Sequence, residues 1–128
     1  MSTATETPFD LLGGRDTMQA IVDRFYDLMD SDPAYAELRA MHAPDLTKMR
    51  RSLAGFLTAW AGGPRDWFEE NPGKCMMSAH DPFAISPAIA GQWAEAMRRA
   101  IADVAPANAA LAAQMGEILA KMAQGMAR

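Results

Sequence analysis

The sequence predicts an all-α protein that folds as one domain. Apolar residues recur three and four positions apart in several long segments, and glycine or proline separates most of these segments from one another. No segment shows the period-two alternation that marks a half-buried strand. The 128 residues are enough to bury a core, and half of them are hydrophobic. We expect residues 1–8 to form a flexible tail and residues 9–128 a single domain.

The first two helices are bounded by glycine, aspartate and proline. Gly13 and Gly14 form a tight turn, since glycine tolerates backbone angles that other residues avoid. The apolar stripe of the long helix that follows consists of Met18, Ile21, Val22, Phe25, Leu28 and Met29. That helix ends at Asp32 and Pro33, and the same two residues supply the cap and first turn of a short second helix.

Three more boundaries mark the remaining long helices. The helical period is strongest in the stripe of Leu46, Met49, Leu53, Phe56, Leu57 and Trp60. Gly62 and Gly63 end that helix. Ser86 then caps a further long helix with Pro87 in its first turn, and Asn108 caps the last one. The stripe of the last helix consists of Leu111, Met115, Ile118, Leu119, Met122 and Met126.

Residues 64–86 form an irregular connection that contains one of the two histidines. Beyond one turn near residues 76–79 the segment has no sustained period, and long connections of this kind inside a compact domain are usually functional. His80 lies in it, and imidazole is the commonest protein ligand for a transition metal. A single histidine in an apolar chain with eleven methionines suits a haem iron, but a helix-end or surface histidine fits the same pattern.

Charge and hydropathy exclude several kinds of partner. The net charge of −4 offers nothing to neutralise a run of phosphates, so we expect no nucleic-acid partner. No apolar run is long enough to span a membrane, and the first residues lack the basic start and apolar stretch of a secretory signal. The single Cys75 cannot form an internal disulfide bond, which fits a reducing cytoplasm.

Hydrogen-bond donors lie on the apolar faces of the predicted helices. Tyr26 lies inside the stripe of the first long helix, and Trp93 shares a face with Ile89 and Met97. A buried phenol or indole requires a hydrogen-bond partner, and a polarised dioxygen is stabilised by such donors. Each residue taken alone is more often an ordinary core aromatic with a backbone partner. Taken together, Tyr26, Trp93 and His42 indicate a shared apolar space into which each would direct a donor.

Several pieces of the chain together resemble the truncated haemoglobins, and specifically group II of that family. The resemblance runs from Phe9 to the final helix. It is carried by Phe9-Asp10-Leu11-Leu12-Gly13-Gly14, Val22-Asp23-Arg24-Phe25-Tyr26, Phe56-Leu57-Thr58-Ala59-Trp60-Ala61-Gly62-Gly63-Pro64, Ala79-His80-Asp81-Pro82-Phe83-Ala84-Ile85 and Trp93. It implies a two-over-two helical sandwich enclosing haem b, with helices over residues 16–30, 46–61, 87–104 and 108–126.

The resemblance also implies roles for individual residues. His80 would be the proximal iron ligand, and Tyr26, His42 and Trp93 would stabilise a ligand on the opposite face. The residues implied to contact the cofactor are Met49, Leu53, Phe56, Trp67, Met77, Phe83, Ile85 and Met97. Basic residues that often precede the proximal histidine are absent here, which leaves Lys48, Arg50, Arg51 and Lys74 as candidate propionate anchors.

The implied function is reversible binding of dioxygen and other diatomic gases, with nitric oxide dioxygenase or peroxidase-like redox activity as a further expectation. We expect an electron-donating reductase as a partner and a monomer or homodimer as the assembly. One alternative is a cofactor-free all-α interaction module whose methionine-rich face binds a helix. Another is a gas sensor, although no output domain is evident in the sequence. The irregular segment 64–86 favours the haem protein over the module.

Overall fold

The computed structural model describes residues 7–70, 85–104 and 106–126. Its helices are α1 (Pro8–Leu12), α2 (Arg15–Ser31), α3 (Ala36–Ala40), α4 (Thr47–Trp60), α5 (Asp66–Glu70), α6 (Pro87–Val104) and α7 (Ala109–Gly125). A 3-10 helix over Pro33–Tyr35 precedes α3. The all-α prediction is confirmed, because these ranges contain helices and connections but no strand. The four long helices begin and end within one residue of the predicted bounds.

The predicted helix boundaries are formed by the residues that the sequence indicated. The Asp32 side chain accepts a hydrogen bond from the Ala34 N–H (2.9 Å), and Ser86 Oγ accepts one from the Ile89 N–H (3.1 Å). Asn108 caps α7 in the same way. These bonds satisfy backbone donors that have no partner inside their own helix. Gly62, which follows α4, has a φ of 99°, a conformation that side chains with a Cβ rarely adopt.

Three local features differ from the sequence prediction. Helix α1 begins at Pro8, within the segment expected to be a tail, and a capping box between Thr7 and Asp10 stabilises it. Helix α5 occupies part of the segment expected to be irregular. Ile118, placed on the apolar stripe of α7, is 49% exposed because it lies about 100° around the helix from the buried Leu119. Five-residue helices are too short to produce a recognisable period.

The long helices are arranged as two pairs. Helices α2 and α4 pack together, α6 and α7 pack together, and α2 also contacts α6. Arg50 of α4 bridges to Asp27 of α2 (2.8 Å), and Arg98 of α6 bridges to Glu117 of α7 (3.0 Å). This is the predicted two-over-two arrangement. In the part of the chain that the structure describes, no helix has both the length and the hydropathy to cross a membrane.

The core is centred on α2, which contacts both pairs. Ile21, Val22 and Phe25 are completely buried, as is Met97 of α6. Helix α4 packs on α2 and α5 rather than on α6 and α7. A space therefore remains on the side of α4 that faces α6 and α7, and the candidate site lies there.

Candidate functional site

An apolar cavity of about 350 Å³ lies between the two helix pairs. Its wall contains residues from α2, α3, the α3–α4 connection, α4, the segment before α6, α6 and α7. The described lining residues are Tyr26, Leu38, Met41, His42, Ala43, Met49, Ile85, Ile89, Ala90, Trp93, Leu119, Met122, Ala123 and Met126. Most are apolar, and a cavity of this kind with a few convergent polar groups is the usual form of a small-molecule or cofactor site.

Tyr26 brings a phenol from the buried face of α2 to the cavity wall. Its ring packs edge-on against Phe25 with ring centroids 5.0 Å apart, and the Arg50 guanidinium lies 5.8 Å from its ring centroid. Burial raises the pKa of Tyr26 to about 12, and the positive charge of Arg50 only partly opposes that effect. The hydroxyl therefore keeps its proton at neutral pH and is able to donate a hydrogen bond.

Trp93 brings a second donor from the first half of α6. Its ring packs edge-on against Phe25, with ring centroids 5.2 Å apart. Within residues 7–70, 85–104 and 106–126, neither its indole N–H nor the Tyr26 hydroxyl has a hydrogen-bond partner. In those ranges, every fully enclosed side-chain nitrogen or oxygen has a hydrogen-bond partner. Since these two donors have none, neither is fully enclosed, and both keep some accessible surface. Because both residues line the cavity, two donors are available to a ligand there.

His42 is held at the cavity wall in a defined tautomer. Its Nδ1 lies 2.9 Å from the carbonyl oxygen of Leu38, and because a carbonyl only accepts, Nδ1 carries the proton. The Nε2 of the neutral ring is then an acceptor rather than a donor. The Leu38 N–H in turn donates to Gln92 Oε1 (3.1 Å). This bond joins α3, which carries Leu38, to α6 at the residue next to Trp93. The ring centroids of His42 and Tyr26 are 5.9 Å apart.

The structure brings together some of the predicted site residues. Tyr26, His42, Trp93, Met49 and Ile85 all line the cavity. Among the others, Leu53, Phe56, Trp67 and Met97 are buried in the core and are not part of the described cavity wall. His80, Met77 and Phe83 lie outside the described residues, so the proximal ligand and those two contacts remain predictions.

Trp67 belongs to a different cluster on the α4–α5 side. Its indole N–H donates to Ser52 Oγ (3.1 Å), and its ring packs edge-on against Phe56 with centroids 5.3 Å apart. Trp67 borders a second cleft, which is also lined by Lys48 and Arg51. Its predicted position at the edge of the cofactor therefore remains a prediction, because the described cavity wall does not include it.

Several wall residues were not predicted as site residues. They are Leu38, Met41, Ala43, Ile89, Ala90, Leu119, Met122, Ala123 and Met126. The contribution of α7 was missed because its apolar stripe has the spacing of an ordinary packed helix face. A signal was nevertheless present, since Met122 and Met126 continue the stripe to the end of the helix, and flexible methionine side chains suit an irregular apolar wall.

The candidate propionate anchors lie in different places in the structure. Arg50 already pairs with Asp23 (3.2 Å) and Asp27 (2.8 Å). Its guanidinium therefore joins α4 to α2, and an anion would have to compete with two carboxylates for it. Lys48 and Arg51 border the second cleft with Arg15 rather than the apolar cavity. Lys74 lies outside the described residues.

The fold and cavity are those of the globin class in its two-over-two form. Two helix pairs enclose an apolar cavity to which α2 and α6 each contribute a donor. Residues 7–127 match the model of the bacterial-like globin family, and the chain belongs to that family. Members are haem-binding globins that bind diatomic gases such as oxygen.

Individual relatives agree with this assignment. The chain is 30% identical over 104 residues to the group 2 truncated hemoglobin YjbI of Bacillus subtilis (strain 168), covering 81% of this chain and 76% of that protein. The group II 2-on-2 hemoglobin of Agrobacterium tumefaciens is 31% identical with a TM-score of 0.92, covering 100% and 98% of the two chains. The group II truncated hemoglobin of Bacillus anthracis is 31% identical with a TM-score of 0.84, covering 95% and 96%. The resemblance to group II is thus confirmed.

Proposed function

We propose that this chain is a haem b globin that retains dioxygen and related diatomic gases through hydrogen bonds from Tyr26 and Trp93. The observation that carries the proposal is the pair of donors without a protein partner among the described residues, both on the wall of one apolar cavity. A donor left unbonded at an apolar site costs free energy, unless a ligand or water accepts from it.

The described residues fit a flat apolar cofactor. The cavity wall is mainly aliphatic, with methionine side chains that adapt to an irregular shape. His80 would hold the iron through Nε2, and Met49 and Ile85 would contact the macrocycle. When bound, haem supplies an iron with one coordination position open to a gas. The protein supplies the apolar surroundings and the donors that tune this chemistry.

The two donors act differently from His42. The Tyr26 hydroxyl carries its proton at neutral pH, since an ordinary tyrosine pKa already lies near 10 and burial raises that of Tyr26 to about 12, and the indole of Trp93 is a donor at any pH. Both can donate to a partly negative ligand atom. Because the Leu38 carbonyl fixes a proton on Nδ1, Nε2 of a neutral His42 ring would accept rather than donate. We therefore assign His42 to orienting the Tyr26 hydroxyl, and a direct bond from His42 to the ligand requires a second proton on the ring.

Two donors on one small ligand should slow its release, which suits redox chemistry better than delivery. We propose nitric oxide dioxygenation or peroxidase-like turnover as the activity, with an electron-donating reductase as the partner. The apolar cavity supports this by limiting competing water around a reactive ligand. The cytoplasm is the compartment that would provide such a reductase.

The release rate of dioxygen tests the proposal. Trp93→Phe keeps most of the bulk and removes the N–H, and a hydrogen bond to a partly charged acceptor is worth about 1.5–3 kcal/mol. We therefore expect dissociation to accelerate by roughly 10-fold or more, measured by stopped-flow displacement with carbon monoxide. Trp67→Phe is the matched control, because its N–H is bonded to Ser52 away from the cavity. Equal rates for the wild type and the Trp93 variant would remove Trp93 from this role.

A further inference from the structure

Methionine is concentrated on the cavity wall. Four of its described lining residues are methionines, namely Met41, Met49, Met122 and Met126. Among the methionines that the structure describes, Met18, Met29, Met97 and Met115 are buried, and Met49 is 40% exposed. Met49 therefore borders both the cavity and solvent.

The position of Met49 is set by the helix that carries it. Met49 lies in the first turn of α4, and its neighbour Arg50 pairs with Asp23 and Asp27 on α2. These ion pairs hold the backbone of the first turn against α2. The unbranched side chain of Met49 therefore has mobility while its attachment point is fixed.

Because Met49 is 40% exposed and also lines the cavity, peroxide in solvent can reach this side chain. Hydrogen peroxide transfers one oxygen atom to the methionine sulfur, which loses two electrons and becomes a sulfoxide. The O–O bond of the peroxide breaks, and its second oxygen leaves as water with both hydrogens. The reaction needs no oxidant other than the peroxide, and it converts an apolar side chain into a hydrogen-bond acceptor.

We propose that Met49 is a peroxide-sensitive modification site whose sulfoxide alters the binding cavity. The sulfoxide oxygen would accept a hydrogen bond from Tyr26 or Trp93, the two donors on the same wall that have no other partner among the described residues. A donor engaged by the sulfoxide is lost to a ligand. Peroxide would thereby weaken gas retention, and this consequence, unlike the modification itself, rests on the proposed function.

The modification is tested by peptide-mapping mass spectrometry of the full-length protein during treatment with hydrogen peroxide. Met49 should be oxidised before Met18 and Met97, both of which are 0% exposed and serve as internal controls. Simultaneous oxidation of all three, or oxidation of Met18 or Met97 first, would overturn the assignment. This readout needs no gas binding, so its failure is distinct from failure of the proposed function.

The consequence is tested by comparing two substitutions of similar size. Met49→Glu places a carboxylate, which only accepts hydrogen bonds at neutral pH, where the sulfoxide oxygen would lie, and Met49→Leu places no acceptor. We expect dioxygen dissociation from the Met49→Glu protein to be roughly 10-fold faster or more than from Met49→Leu, which corresponds to the loss of one hydrogen bond to a partly charged ligand. Equal dissociation rates for the two would contradict the proposed effect of the sulfoxide.

Peroxide treatment provides the second comparison. After treatment and re-reduction of the iron, the wild-type protein should release dioxygen faster than its untreated sample, whereas Met49→Leu should be unchanged. Met126→Leu is the matched control, because it removes a different methionine of the same wall and keeps Met49. Its response should equal that of the wild type. A response that persists in Met49→Leu would assign the effect to another residue and overturn the proposal.

Discussion

Replacing Tyr26 by phenylalanine should make the protein more resistant to alkali. A tyrosine hydroxyl ordinarily ionises near pH 10, whereas burial raises the pKa of Tyr26 to about 12. Between these values the unfolded chain loses a proton that the folded chain keeps, so rising pH favours unfolding. The stabilisation is complete below pH 10 and is lost as the pH rises to 12. It amounts to about 1.4 kcal/mol at pH 11 and about 2.7 kcal/mol in full.

Urea unfolding of the wild type and of Tyr26→Phe at pH 8, 10 and 11 measures this contribution. The difference in unfolding free energy between the two proteins should shift by about 1.4 kcal/mol from pH 8 to pH 11, in favour of the phenylalanine variant. Because the chain contains two tyrosines, a tyrosinate absorption titration gives an independent readout. A difference that stays constant with pH would refute the claim that the Tyr26 hydroxyl is buried in its neutral form.

Two other pairs of substitutions test the packing. Gly62 has a φ of 99°, and a Cβ added there would lie 2.8 Å from Thr7 Cβ. Alanine at Gly62 should therefore lower the unfolding free energy by about 1–3 kcal/mol, whereas Gly91→Ala in the open interior of α6 should raise it by about 0.5–1 kcal/mol. Equal changes in the urea unfolding free energy of the Gly62→Ala and Gly91→Ala proteins would contradict this prediction. Arg50→Gln should cost about 0.5–1 kcal/mol at low salt and less at high salt, and the more exposed Arg24→Gln should cost less. A loss that does not change with salt would show that the ion pairs are not its source.

The long helices were predictable from the sequence because each combines a regular period with a strong end signal. Ser86 and Asn108 accept the backbone hydrogen bonds expected of caps for α6 and α7, and Asp32 caps the 3-10 helix that follows α2. Helices α1 and α5 were not predictable in this way. Each is five residues long and depends on tertiary packing, such as that of Phe9 against Gly63 and of Trp67 against Phe56. Local periodicity contains no information about such contacts.

The wall of the candidate site formed by α2 and α6 was easier to predict than the wall formed by α7. Tyr26 and Trp93 were recognisable because they interrupt apolar stripes with donors, and the structure places both on one cavity. The α7 wall was harder to recognise, since Leu119 and Met122 have the pattern of ordinary core residues and only the methionines that continue to the end of the helix indicated an apolar wall. The tautomer of His42 also could not be predicted, because it depends on the distance from Nδ1 to the Leu38 carbonyl.

The proton on Nδ1 bears on which hydrogen bonds we propose for His42. The sequence predicts a residue that stabilises the ligand directly, as Tyr26 and Trp93 would. In the structure the Leu38 carbonyl fixes a proton on Nδ1, so Nε2 of a neutral ring would accept rather than donate. On our proposal, His42 would accept from the Tyr26 hydroxyl and so orient that donor. On the cavity wall, the donors that have no partner among the described residues are those of Tyr26 and Trp93.

The visible absorption spectrum of the ferrous protein, compared with that of His80→Gly, tests the central claim most directly. We expect the wild type to show the Soret band of bound haem, and His80→Gly to lose stable haem and recover it when imidazole is added. His42→Gly should retain haem without imidazole. An unchanged haem spectrum in His80→Gly, or a colourless wild-type protein after haem supplementation, would contradict the account.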